Sequence, residues 1–355
     1  LKLLTDTLTP SSPKAHQFVS NNDLHLERDG HALGVSDAAD LLQGILGAMG
    51  LTKGFAPQVL LVGHTSQSRN NPHAGSLDCG ACGGHSGEPN VRLLAELLNN
   101  VAIRKALWQR GIKIPDRTAF FPALHNTTTD AVDILSGTLP EPIGDWLHQA
   151  SAATRRERAA ALGLDPEDPK LRQKLTRRAH DWSQVRPEWG LAGNAAFIAA
   201  PRQLTRGKHL GGRVFLHDYD SAKDPSSSVL ELIMTAPVVV AHWINSQYNA
   251  SVAEPAKLGA GNKVLHNIVG GNLGVLEGGA GDLRIGLPKQ SVHDGQRWMH
   301  TPLRLSVYLQ APKDKIFAIY ERQSDVRSLI DNEWLYLFAL DDGGVHRLLR
   351  GSWQG

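Results

Sequence analysis

Cys79 and Cys82 are the only two cysteines in a chain of 355 residues. They share the stretch VLLVGHTSQSRNNPHAGSLDCGACGGHSGEPN, Val59 to Asn90, with His64, His73, Asp78, His85 and a run of glycines. Thiolate, imidazole and carboxylate are the side chains that bind zinc, four to a tetrahedron, and a catalytic site keeps one position for water. Glycine gives a loop the freedom to fold tightly round an ion. The candidate donors are therefore His64, His73, Asp78, Cys79, Cys82 and His85. A lone Cys-x-x-Cys also fits a thiol redox pair, although such pairs usually run straight into a helix. Here two glycines and a polar loop follow Cys82. The stronger constellation is His64 with Cys79; set against it is a buried structural cysteine beside a hydrogen-bonded histidine.

The elements that must position these groups read as an α/β chain. APQVLLVGH (Ala56 to His64) is a short apolar run suited to a buried parallel strand, delivering His64 at its carboxyl end, where open α/β sheets place their sites. Beyond the polar loop, Leu94, Leu97, Leu98 and Val101 recur at helical spacing, with Asn90 as the expected cap and Gly111 after the end. RTAFFPALHNTTTD reads as a strand and a turn. From Asp145 to Asp181 the chain is charged and helical: Arg155, Arg156, Arg158, Lys174, Arg177 and Arg178 stand among Glu157, Glu167 and Asp168. That pattern suits a solvated helical pair better than a phosphate-binding patch, because acids interleave the cations. RPEWGLAGNAAFIAAPR (Arg186 to Arg202) is expected to be a helix, RVFLHDYD a strand, and SSSVLELIMTAPVVVAHWINSQYNA a long buried helix disturbed at Pro237. The Gly-rich segment from Leu258 to His293 lacks the glycine spacing of either phosphate-binding loop. A strand, helix, strand pattern closes the chain, and no internal repeat is evident.

Composition narrows the classes. At 41% hydrophobic and 20% charged residues, the chain should be a folded, soluble protein with one large core or two domains. A net charge of +2 supplies no basic field for nucleic acid. Two clustered cysteines cannot staple a chain of this length, which favours a reducing, cytoplasmic setting. The opening LKLLTDTLTPSSPKAH has neither an initiating Met nor a signal-peptide pattern, so the expectation is a fragment of a longer protein. LIMTAPVVVAHWI (Leu232 to Ile244) carries Thr235, Pro237 and His242 and falls short of the ~20 residues a bilayer requires, so no transmembrane helix is expected.

GHTSQSRNNPHAGSLDCGACGGHSGEPN, RPEWGLAGNAAFI, HDYD, MTAPVVVAHWINSQYNAS, GNKVLHNIVGG and GGAGDLRIGLPKQSVHDG, in this order, resemble the DabA family, the large zinc-containing subunits of bacterial energy-coupled inorganic carbon transporters. That family is similar to β-carbonic anhydrases, whose metal site pairs an early Cys-x-Asp-x-Arg motif with a later His and Cys. The resemblance implies His64 and Cys79 as zinc ligands, with an inserted loop between them, and does not imply Cys82. It implies a β-carbonic anhydrase-like sheet with helices on its faces and family-specific insertions. The expected division is 1–144 for the second part of the zinc domain, 145–210 for a helical insertion and 211–355 for a carboxyl-terminal α/β part. No Cys-x-Asp-x-Arg occurs here, so the family's Asp and Arg are expected upstream of Leu1, and this chain alone is expected to be inactive.

Further implications are hydration of CO2 to bicarbonate, a Zn2+ cofactor, a membrane subunit of the DabB type as partner, and a peripheral location on the cytoplasmic face of the bacterial inner membrane. Segments near Trp182, Trp189 and Trp243 are candidates for the partner surface, with core packing the competing role. Two other readings stay open: a thiol redox module using Cys79 and Cys82, and a non-catalytic zinc-binding protein holding metal with His64, Cys79, Cys82 and His73 or His85.

Overall fold

The computed structural model describes residues 27–28, 30–68, 85–181, 184, 188–259, 269–270, 273–274, 286–341 and 344–355. They belong to two compact α/β units, one spanning 1–188 with 267–277, the other 189–266 with 278–355.

The first unit is built round a three-stranded sheet of β1 (Gln58–Thr65), β2 (Ala119–Asn126) and β3 (Ala131–Ile134). Strands β1 and β2 run parallel, in a register that sets His64 beside His125 and Thr65 beside Asn126. Strand β3 returns antiparallel through a turn in which Asp130 takes a left-handed φ of 52°. Apolar residues at helical spacing make α1 (Val35–Ala48), whose Ala38, Ala39, Leu42 and Leu46 are buried. The parallel crossover holds two helices, α2 (Glu88–Asn99) and α3 (Val101–Gln109), where the sequence suggests one. Asn100 is the cause: its backbone is extended, and its side-chain oxygen accepts from the amides of Ala102 and Ile103. Val101 consequently faces solvent at 81% exposure, and Asn90 lies inside α2, with Gly87 at the cap position. Gly111 ends α3 at φ 88°, as its position suggests. Leu61, Val91, Ala95, Leu98, Phe120 and Leu124 join α1 in one apolar core. The charged stretch folds as α4 (Glu141–Ala159) and α5 (Leu171–His180), which belong to this unit.

The second unit has a six-stranded mixed sheet. Its strands are β4 (Ala196–Ala200), β5 (Val214–Asp218), β6 (Ser306–Leu309), β7 (Tyr336–Asp341), β8 (Gly344–Leu349) and β9 (Ser352–Gln354). They lie in the order β9-β8-β7-β6-β4-β5, the last four parallel and the first two pairing antiparallel. Of the helix expected over Arg186 to Arg202, residues Ala196–Ala200 form a strand instead. Gly190 and Gly193 adopt left-handed φ values of 57° and 88°, which ends any helical run. The five residues left, AFIAA, pair with β5 and β6, so Phe197 and Ala199 enter the core.

The apolar stretch near Pro237 becomes α6 (Ser228–Thr235) and α7 (Pro237–Ala253), broken at Ala236. Residues 228–253 are long and apolar enough, by length and composition alone, to cross a membrane, whereas the run Leu232 to Ile244 within them is too short. Leu230, Ile233, Met234, Val238 and Ala241 from this segment nevertheless sit in the core of the second unit. Helices α8 (Lys313–Arg322) and α9 (Ser324–Asp331) cover the sheet between β6 and β7, where the sequence suggests one helix.

Candidate functional site

His64 stands one residue from the carboxyl end of β1 and is half-buried. Side chains on adjacent parallel strands at paired positions share a face, so His64 and His125 lie side by side. Leu61 and Gly63 belong to the opposite face, against α2. The segment that leaves β1 returns to its point of departure: the Gly87 amide donates to the His64 carbonyl at 2.8 Å, and the Ser86 hydroxyl donates to the same oxygen at 3.4 Å. Close approach explains two glycines here. A Cβ on Gly63 would meet the carbonyl carbon and oxygen of Gly87 at 3.0 Å, and one on Gly87 would meet the His64 nitrogen at 3.1 Å. The amino end of α2 is thereby seated on the His64 backbone.

Of the other residues singled out by type, His85 is exposed, two positions before Gly87. His73, Asp78, Cys79 and Cys82 lie outside the described residues, and with them the expected approach of His64 to Cys79. Among the described residues no group of three His, Cys, Asp or Glu side chains is placed to hold a metal ion. Trp243 is 65% exposed and Trp189 half-buried, while Trp182 is outside the described residues.

A buried polar centre adjoins the strand ends. Asn126, Thr128, Thr129 and Asp130 are all buried in the turn after β2. The Asn126 side-chain oxygen accepts from the amides of Thr128 at 3.1 Å and Thr129 at 3.3 Å, folding the turn on itself. Thr127 returns to β1, its amide donating to the Thr65 carbonyl at 2.9 Å. The Gln67 amide donates to Thr128 Oγ1 at 2.9 Å, so the first residues beyond β1 are tied to the same turn. The Gln67 side chain spans two partners: its oxygen accepts from Asn126 Nδ2 at 3.3 Å, and its nitrogen bonds His180 Nε2. His180 Nδ1 donates to the Thr176 carbonyl at 2.8 Å, which leaves Nε2 as the acceptor.

Helix α4 supplies two cations to this turn. Arg155 is buried and donates through Nε to the Thr129 carbonyl at 2.8 Å and through Nη2 to the Asp130 carbonyl at 3.3 Å. Arg158 bridges two buried carboxylates. Its Nη1 donates to both Asp130 oxygens, at 2.8 and 2.7 Å, and to the Thr127 carbonyl at 2.6 Å. Its Nη2 donates to Glu188 Oε2 at 2.7 Å. The other Glu188 oxygen accepts from Thr127 Oγ1 at 2.8 Å. His125 Nε2 lies 3.2 Å from Asp130 Oδ1, joining the neighbour of His64 to the network. Burial pushes the Glu188 carboxyl up to about 7, with Arg158 pulling the other way.

Arg155 and Arg158 thus correct the picture of α4 as a solvated face: both point at the strand ends, and neither serves a phosphate patch. Sequence reading missed Asp130, Arg158 and Glu188 as a group. The signal available was the polar run HNTTTD at the carboxyl end of a strand in an α/β chain, the usual place for a site.

The family model described as "Probable inorganic carbon transporter subunit DabA" matches residues 1–335. Curated relatives with that same description include one from Hydrogenovibrio crunogenus (strain DSM 25203 / XCL-2), 51% identical over 357 residues that cover 99% of this chain and 43% of the relative. Another, from Burkholderia multivorans (strain ATCC 17616 / 249), is 54% identical over 334 residues, covering 91% of this chain and 38% of the relative. A third, from Marinomonas sp. (strain MWYL1), is 51% identical over 348 residues, 96% and 43% of the respective lengths. The chain therefore spans less than half the length of these curated relatives. No solved structure matches it.

Proposed function

This chain belongs to the DabA family, and on that premise we propose that it is part of a subunit of an energy-coupled inorganic carbon transporter that hydrates CO2 to bicarbonate. In this reading His64 and Cys79 are two of the ligands of a zinc site of the β-carbonic anhydrase type, and the sheet bearing His64 belongs to a carbonic anhydrase-like core. The observation that carries the reading is the placement of His64. It stands at the carboxyl end of a parallel strand, and the segment that contains Cys79 both leaves and rejoins the sheet there.

His64 is the one proposed ligand among the described residues. An imidazole at a strand end, beside a glycine-lined helix start, suits a borderline-soft cation, and Cys79 would add a thiolate. Bound zinc supplies a Lewis acid that makes water acidic near neutral pH. Two donors are short of a tetrahedron, and the family pattern implies that the others come from a Cys-x-Asp-x-Arg motif, which this sequence does not contain. The chain's own contribution is to hold His64 in place, through the Gly87 amide on its carbonyl and the turn at Asn126 to Asp130.

A membrane subunit of the DabB type, coupling ion flow to one-way hydration from the cytoplasmic face of the inner membrane, completes the proposal; the family's description as a transporter subunit accords with a partner. The test is metal content and stopped-flow CO2 hydration of the full-length protein, with His64→Ala and Cys79→Ser variants. Each substitution should abolish stoichiometric zinc. Full zinc and full activity in either variant would remove that residue from the site.

A further inference from the structure

The polar network round Arg158 belongs to no ligand set, yet it holds the strand end from which His64 projects. We propose that Arg158, gripped between Asp130 and Glu188, is a positioning residue for the site at the carboxyl ends of β1 and β2. The inference rests on the zinc reading above for what is positioned, and on geometry alone for the positioning itself.

Three features of the geometry support it. First, Arg158 reaches its partners from α4 across 28 to 31 residues of sequence, and Glu188 lies 61 residues beyond Thr127, so only the folded chain assembles the group. Asp130 and Glu188 are both about 3% exposed at the side chain, whereas Arg158 is 28% exposed. Buried carboxylates without a partner are costly, and a rigid planar fork of five donors meets two of them at once in fixed directions. Second, every bond that Arg155 and Arg158 make ends on the 126–130 turn or on Glu188, and the turn grips the chain at two points on the carboxyl side of His64: Thr65, at the end of β1, and Gln67, just beyond it. Third, the face that His64 shares with His125 connects to the same centre, because His125 Nε2 lies 3.2 Å from Asp130.

The chain of contacts is therefore short: Arg158 to Asp130 and the Thr127 carbonyl, Thr127 to Thr65, Thr65 to its neighbour His64. Loss of Arg158 frees the turn, and with it the direction in which His64 leaves the strand. Groups that orient a ligand from behind typically change metal affinity by about 10- to 100-fold when removed. The Glu188 carboxyl is faced by Arg158 from α4 and by Thr127, Thr128 and Asp130 from the turn. His180 from α5 completes the ring through Gln67.

The experiment uses full-length protein with Arg158→Lys, Arg158→Met and Glu188→Gln substitutions. Two readouts are taken: amide hydrogen exchange at Thr127 and Gln67, and titration with Co2+ and Zn2+ alone, followed through the Co2+ absorption bands. In R158M the Thr127 and Gln67 amides should exchange at least about tenfold faster, with core amides of β1 such as Leu61 unchanged, and metal affinity should fall about 10- to 100-fold. R158K keeps the charge but loses the fork, and should rescue neither readout fully. Unchanged exchange at Thr127 and Gln67 in R158M would overturn the proposal. If R158M unfolds as a whole, E188Q decides: it keeps the shape of Glu188 and should speed exchange at Thr127 selectively at pH 8, and no change there would again overturn it. If wild type binds neither metal while R158M still exchanges faster at Thr127 and Gln67, the zinc reading is refuted and the positioning of the strand end stands.

Discussion

Replacing Glu188 by Gln tests the buried network through the pH dependence of stability. In the folded protein burial lifts this carboxyl from its ordinary 4.5 to about 7. At about 1.4 kcal/mol for each pH unit, that rise corresponds to about 3 kcal/mol. The sign follows from which state holds the proton. Between pH 4.5 and 7 the folded protein keeps a proton that the unfolded chain has released, so stability falls as pH rises through this window and is flat above it. Glutamine keeps the size and the polar contacts of a neutral acid and does not titrate. The stability of E188Q minus that of wild type should therefore grow by about 3 kcal/mol from pH 4.5 to pH 7.5 and then level off. Urea unfolding at half-unit steps measures it, and the difference between the two proteins cancels every other titrating group. A difference that stays level within about 1 kcal/mol would refute the burial argument. One that shrinks as pH rises would show that Arg158 outweighs burial and holds Glu188 ionised.

Three further outcomes are expected. Gly63→Ala places a methyl 3.0 Å from the Gly87 carbonyl and 3.1 Å from Val91, and should cost about 1–3 kcal/mol in thermal unfolding; a neutral substitution would show that α2 is not seated tightly on β1. In the second unit, His300 accepts from the Gly193 amide at 3.0 Å and donates to Asn249 Oδ1 at 2.7 Å, and burial pushes it down to about 4. It should remain neutral in NMR titrations until well below pH 6, and stability should be lost as pH falls from 6.5 towards 4, because only the unfolded chain binds the proton there; titration near 6.5 would contradict its burial. Full-length protein should fractionate with membranes only when its partner subunit is present, and retention on membranes lacking that partner would contradict partner-mediated attachment.

Local pattern was enough to read much of the first unit. VLLVG is apolar, continuous and bounded by turn residues, which reads as a strand, and in the fold it carries His64 close to the carboxyl end of β1. The interval between His64 and Cys79 was legible for the same reason, because residue type and spacing are properties of the chain itself. Helix α4 was also visible as a helix, from its run of long polar side chains without β-branched crowding.

Tertiary structure decided what those residues face. AFIAA is too short for its apolar run to separate a strand from a buried helix, and only pairing with β5 on one side and β6 on the other makes it β4. Arg158 carries the same charge in a solvated row as in a buried bridge, and nothing in RRERA says that Asp130 and Glu188 wait for it. Its partners lie 28 and 30 residues away on opposite sides in sequence, and pairings of that range are fixed by how helices dock on sheets, not by local preference. Burial above all pushes the Glu188 carboxyl up from the ordinary acid range, against the pull of Arg158, and burial is a property of the fold.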